Sequence, residues 1–166
     1  MKDALCFDDV NVGDLWHSPT RTVTETDVVN FAGMTGDYNP LHVDHEFARS
    51  TPYGKPIAHG LLGLSLVAGL GSFSPWMQTA AFVRILEWNF AKPLFIGDTV
   101  RVRTECLTKQ QKGRRHGLVL WNRELINQAG EVVQQGKFET LVKLAVQAKV
   151  LQVRPEEDTE PQSRAA

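Results

Sequence analysis

The chain has 166 residues, with 18 Lys and Arg against 19 Asp and Glu and a formal net charge of −1. That length fits one domain, able to bury about two-thirds of its unfolded surface without disulfides or metal. The balanced charge excludes the basic field of a nucleic-acid or anionic-membrane binder. Cys6 and Cys106 form no short-spaced pair, which excludes a disulfide scaffold and a Cys-rich zinc knuckle and fits a reduced, cytoplasmic protein. Met1 is followed by Lys2 and Asp3, and the longest apolar stretch is Leu61 to Phe73; neither a secretory leader nor a membrane span is expected.

In chain order, a turn-rich acidic lead-in (Asp8 to Asp14) precedes a first strand over Leu15 to Val23, which Pro19 makes an edge or broken strand. Thr24 can cap a helix with Asp27 three residues on, Val28, Val29, Phe31, Ala32 and Met34 supply its apolar stripe, and Gly36 ends it. Asp37 to Asp44 is interrupted by Pro40 and reads as a rigid turn, neither helix nor strand. A short helical piece from His45 to Ser50 and a turn at Thr51–Gly54 follow. From Ala58 to Gly71 the chain is apolar on all sides, the pattern of a helix buried all round, whose glycines let another backbone approach. Strands are predicted over Phe82–Ala91, Asp98–Thr108, Gly117–Asn127 and Glu131–Ala145. Val100, Val102, Thr104 and Cys106 alternate with Arg101, Arg103 and Glu105, and Gln128–Gly130 forms a hairpin turn. Residues 1–150 then make a single α+β domain, and residues 151–166 a polar, disordered tail. One long helix and an antiparallel meander suggest a curved sheet wrapped around that helix, the hotdog arrangement, with a ferredoxin-like sandwich as the alternative.

Two clusters carry chemistry. Asp37, Asn39 and His42 flank Pro40, whose fixed φ rules out a shared helix face but leaves a turn able to make them converge. A carboxylate and an imidazole on one water supply the acid–base pair that addition across a carbon–carbon double bond needs; the bland alternative is a set of Asx turns with a surface histidine. The second cluster is Ile57-Ala58-His59-Gly60. An unpaired Gly60 N–H at a helix start is placed to donate to a thioester oxygen becoming an enolate, whereas the plain reading makes Gly60 a packing residue and His59 a buried or capping histidine.

The string Phe31-Ala32-Gly33-Met34-Thr35-Gly36-Asp37-Tyr38-Asn39-Pro40-Leu41-His42-Val43-Asp44, followed by Ala48, Gly54, Ile57-Ala58-His59-Gly60 and Ser65, closely resembles the signature of the MaoC-like dehydratases, the hydratase-2 group that includes (R)-specific enoyl-CoA hydratases. Pro93-Leu94-Phe95-Ile96-Gly97-Asp98-Thr99-Val100 is similar to that family's entry into a strand. The resemblance spans roughly residues 8 to 145 and implies a hotdog fold, reversible hydration of a trans-2-enoyl thioester of coenzyme A, and a homodimer or dimer-based oligomer. It implies that Asp37 and His42 hold and activate water, that Gly60 supplies the oxyanion donor, and that Asn39, His59 and Ser65 belong to the substrate site. No metal or redox cofactor is implied, coenzyme A being part of the substrate. Ala68 departs from relatives that carry a further serine there.

The residues admit other readings. His42, Asp44, His45 and His59 offer metal-ligand types but no helical His-x-x-x-His pair. Lys109 to His116 reads as a solvated hairpin tip, with contact to coenzyme A phosphates as the sharper alternative. Trp16, Trp76, Trp88 and Trp121 read as core and interface residues, and Arg84 either meets a substrate carboxylate or faces solvent. A thioesterase, or a non-catalytic acyl-thioester-binding module, shares the scaffold.

Overall fold

The computed structural model of the chain describes residues 4–145; the tail expected over 151–166 lies outside them. After a 3-10 turn at Phe7–Asp9 come strands β1 (Leu15–His17) and β2 (Arg21–Thr22), helices α1 (Glu25–Thr35), α2 (Pro40–Val43), α3 (His45–Arg49) and α4 (Gly60–Gly71), and strands β3 (Thr79–Phe90), β4 (Thr99–Lys112), β5 (His116–Ile126) and β6 (Val132–Lys143). The main sheet is antiparallel with strand order β1-β4-β5-β6-β3, and β2 pairs with β4.

The expected first strand is indeed broken at Ser18–Pro19, into β1 and β2. β4, β5 and β6 form the expected meander, but β3 lies beyond β6 and not beside β4, so the chain crosses the sheet between β3 and β4. The predicted alternation on β4 is realised: Val100, Val102, Thr104 and Cys106 are all fully buried. Leu62, Leu66 and Val67 of α4 pack with Val100, Val102, Leu125, Val133 and Phe138 of the strands in one core. This is the hotdog fold, a curved sheet around one helix.

The far end of α4 is held by Arg123 on β5, which donates through NH2 to the Gly71 carbonyl at 3.2 Å and lies over the Phe138 ring. A cation there meets the unpaired carbonyls of a helix C-terminus, although burial pushes its pKa down to about 10.

Two local expectations are corrected. Pro40 does not forbid a helix; it opens one, because the first helical position needs no N–H, and Asn39 caps it by accepting from Leu41 N–H at 3.0 Å. Helix α4 is not buried all round either. Leu61, Ser65, Ala68 and Gly69 are exposed, Leu61 at 59%, because the sheet covers only one face. No helix among the described residues is long and apolar enough to cross a membrane.

Candidate active site

Local capping brings the two clusters together. Thr24 and Asp27 bond reciprocally at the start of α1, and Gly36 ends that helix in the left-handed conformation at φ 78°, where glycine bears no Cβ penalty. The chain therefore turns sharply and sets Asp37 beside the start of α4. The Pro93–Asp98 motif anchors the other side: Leu94 is buried and its carbonyl accepts from Ala58 N–H at 2.7 Å, while the Asp98 carboxylate closes the turn on Phe95 N–H at 2.8 Å.

Two backbone carbonyls fix the histidines. The Ile57 carbonyl lies 2.8 Å from His42 Nδ1, and the Asp37 carbonyl 2.9 Å from His59 Nε2. A carbonyl only accepts, so each of those nitrogens carries the ring proton. His42 therefore keeps Nε2 as a bare acceptor. The two rings stack with centroids 3.8 Å apart, and His59 also packs against Phe31. His59 is 2% exposed, and its Nδ1 has no partner among the described residues.

A carboxylate oxygen of Asp37 and one ring nitrogen each of His42 and His59 lie within 4.8 Å of one another. Asp37 Oδ1 accepts from Asn39 N–H, and Oδ2 lies 4.0 Å from His59 Nε2. One water bridges two groups up to roughly 5.6 Å apart, twice an ordinary hydrogen bond, so Asp37 and His42 are close enough to share one. Three such ligand types also match the donor set of a metal; the proton on His59 Nε2 is committed to the Asp37 carbonyl, which leaves Nδ1 as that ring's acceptor. Asp44 caps α3 and His45 pairs with Glu25 at 3.0 Å, so neither joins the group.

Asp37, His42, His59 and Gly60 line one cavity of about 340 Å³ with Phe31, Thr35, Leu61 and Phe90. Leu62 and Gly63 both donate to the His59 carbonyl, but among the described residues the Gly60 N–H has no protein partner. It is a free donor at the amino end of a helix. Gln134 of β6 fixes this helix start. Its Oε1 accepts from Trp88 Nε1–H at 3.1 Å, which orients the amide so that Nε2 donates to the Gly60 carbonyl, also at 3.1 Å.

A model of the MaoC-like domain matches residues 12–127. The chain belongs to that family. It is 38% identical over 112 residues, 67% of this chain and 69% of the other, to a 3-hydroxybutyryl-CoA dehydratase of Methylorubrum extorquens. It is 31% identical over 139 residues, 82% and 90% of the two chains, to an (R)-specific enoyl-CoA hydratase of Rhodospirillum rubrum. The solved structure of a monoamine oxidase regulatory protein from Archaeoglobus is similar at TM-score 0.78 and 37% identity, over 86% of this chain and 96% of that one.

In this MaoC-like chain the two clusters read from sequence meet, but not all of their members face the cavity. Asn39 spends its side-chain oxygen on the α2 cap. Ser65 donates to Leu61 O and borders a separate apolar hollow with Leu66, Leu70 and Phe73. Arg84 neither faces the cavity nor stands free; it pairs with Glu139 at 2.7 Å. The basic segment does form a hairpin tip, between Lys112 and His116, but at the opposite end of the sheet from Gln134. Eight residues of β6 separate Gln134 from Val142, the partner of Gly117, about 26 Å at strand rise; that is no place for phosphates of a substrate bound to the same chain's Gly60. Sequence reasoning missed Phe90 and Gln134, and gave no role to Thr35, which stands in the signature beside Asp37. Gln134 carried no signal in its residue type, because its strand also holds Gln135, Lys137, Glu139, Thr140 and Lys143.

Proposed function

We propose that this MaoC-like hydro-lyase adds water reversibly to the double bond of a trans-2-enoyl thioester of coenzyme A. The observation that carries the reading is the meeting of the Asp37 carboxylate, the His42 imidazole and the Gly60 helix start, with its free N–H, around one cavity. The thioester oxygen accepts from Gly60 N–H, which draws charge from the β-carbon and makes it electrophilic. A water donates to Asp37 and His42. As its oxygen bonds to the β-carbon, the pair takes one proton, and the charge moves through the α-carbon to the thioester oxygen. A proton from the same pair then reaches the α-carbon, so the site ends as it began. One well-placed oxyanion donor is worth on the order of 3–4 kcal/mol of barrier. Protons move and no electrons are exchanged, so the reaction asks for no redox cofactor.

Supporting this reading are the activities named for the Methylorubrum and Rhodospirillum relatives. The protein also acts as a homodimer in this proposal. Among the described residues β3 pairs with β6 alone, and the strand, with exposed Phe82, Val83, Ile85 and Leu86 around the charged Arg84 and Glu87, has no proline to keep its other edge solitary.

The test follows the loss of enoyl absorbance from crotonyl-CoA alongside thiol release. Hydration without free thiol supports the reading; thiol release without hydration makes the protein a thioesterase; neither, across short and long enoyl chains, leaves a binding module. Removal of divalent metal by chelation is expected to leave the rate unchanged.

A further inference from the structure

The Asp37 cavity is not alone at the start of α4. A second one, of about 280 Å³, opens on the other side of the same groups, bordered by Tyr53, Lys92, Gln134 and the chain around Leu94. His42, Gly60 and Phe90 line both. The wall between them is aromatic: a Cβ placed on Gly60 would lie 2.9 Å from Cε1 and 3.1 Å from Cδ1 of Phe90, so the ring lies directly on the Gly60 backbone. Its base is held at the end of β3, where Ala91 and Lys92 N–H both donate to the Val133 carbonyl.

The two cavities differ in kind. The first is walled by Phe31, Leu61 and Phe90 around the Asp37–His42 pair, and the second is bordered by the Tyr53 phenol and by the Lys92 ammonium, which pairs with Glu131. A thioester whose oxygen sits on Gly60 N–H has two arms. Its α- and β-carbons must face Asp37 and His42; its sulfur carries a chain of two amides that needs polar partners. We infer that Phe90 is a specificity-determining residue, dividing the acyl cavity from a polar channel for the pantetheine arm and limiting bulk at the α-carbon. This rests on the hydratase reading above and adds to it a residue that takes no part in proton transfer. The ring lies where a Cβ on Gly60 would stand, so a thioester held on the Gly60 N–H brings its α-carbon close to it.

The experiment compares crotonyl-CoA with its α-methyl analogue, tiglyl-CoA, on the full-length protein and on Phe90→Ala and Phe90→Leu. One methyl group against a pocket wall is worth roughly 10–200-fold in specificity. Phe90→Ala is therefore expected to raise the kcat/KM ratio of tiglyl-CoA to crotonyl-CoA at least tenfold, with Phe90→Leu between. Phe90 is 55% exposed, and thermal melting of each variant keeps a folding defect from passing as a specificity change. A ratio within twofold of the original in both variants, with crotonyl-CoA still hydrated, overturns the inference alone. No hydration of crotonyl-CoA by the unaltered protein overturns the reading beneath it as well.

Discussion

Gln134 joins three parts of the molecule through one carboxamide. It is 2% exposed, so each of its hydrogen bonds forms where water cannot replace it. Trp88 Nε1 can only donate, which sets the orientation of the amide and commits Nε2 to the Gly60 carbonyl. Helix α4 admits this side chain because residue 63 is glycine: a Cβ there would stand 2.2 Å from Gln134 Nε2. The bond orients the peptide plane next to the proposed oxyanion donor. Gln134→Leu keeps the bulk and loses both bonds, so kcat for crotonyl-CoA is expected to fall about tenfold with KM within twofold, as preorganisation of a donor requires. Stability should drop by about 1–3 kcal/mol, the cost of leaving the half-buried Trp88 indole N–H and the Gly60 carbonyl without this partner. An unchanged kcat beside a lowered melting temperature would leave Gln134 a purely structural residue.

Helix α1 shows how local chemistry sets up the site. Burial raises the Asp27 carboxyl, but hydrogen bonds from Thr24 N–H and its hydroxyl and the Arg21 guanidinium outweigh it, and the pKa ends below the usual carboxylate value. A carboxyl lowered in the fold stabilises above its unfolded pKa, near ~3.9, and that stability is lost as pH falls through the folded value. Asp27→Asn should therefore melt earlier than the unaltered protein at pH 7, with the gap closing below about pH 4; a gap of constant size would show that the charge contributes nothing. The Thr24–Asp27 box and Gly36 were legible in the sequence because their partners lie three or four residues away. α2 was not, since Pro40 marks a helix's first position as readily as its end. The place of β3 was not legible either, because strand order depends on pairings over 50 residues apart in sequence, such as Arg84 with Glu139.

At the scale of the whole molecule, the alternating strands and the all-apolar helix announced a sheet wrapped on a helix. The same apolarity hid the helix's uncovered face, because hydropathy alone does not tell a core from an interface. Asp37, His42 and Gly60 were legible as types, but the carbonyls of Ile57 and Asp37 that set the two imidazoles leave no mark in residue identity. Leu61 on α4 and Phe82, Ile85 and Leu86 on β3 are large apolar side chains left exposed, a surface suited to a second copy. Sedimentation equilibrium is expected to give twice the chain mass of 18.5 kDa, and the double substitution Ile85→Glu with Leu86→Glu to give a monomer. A monomeric unaltered protein would remove the dimer from the proposal. In the proposed reaction Asp37 and His42 act together on one water. That joint action is tested most directly by the crotonyl-CoA hydration rate of Asp37→Asn and His42→Ala, each checked for an unchanged melting temperature. Losses of at least a thousandfold in both are predicted; a folded variant of either kind that retains activity within a few-fold of the original contradicts the account.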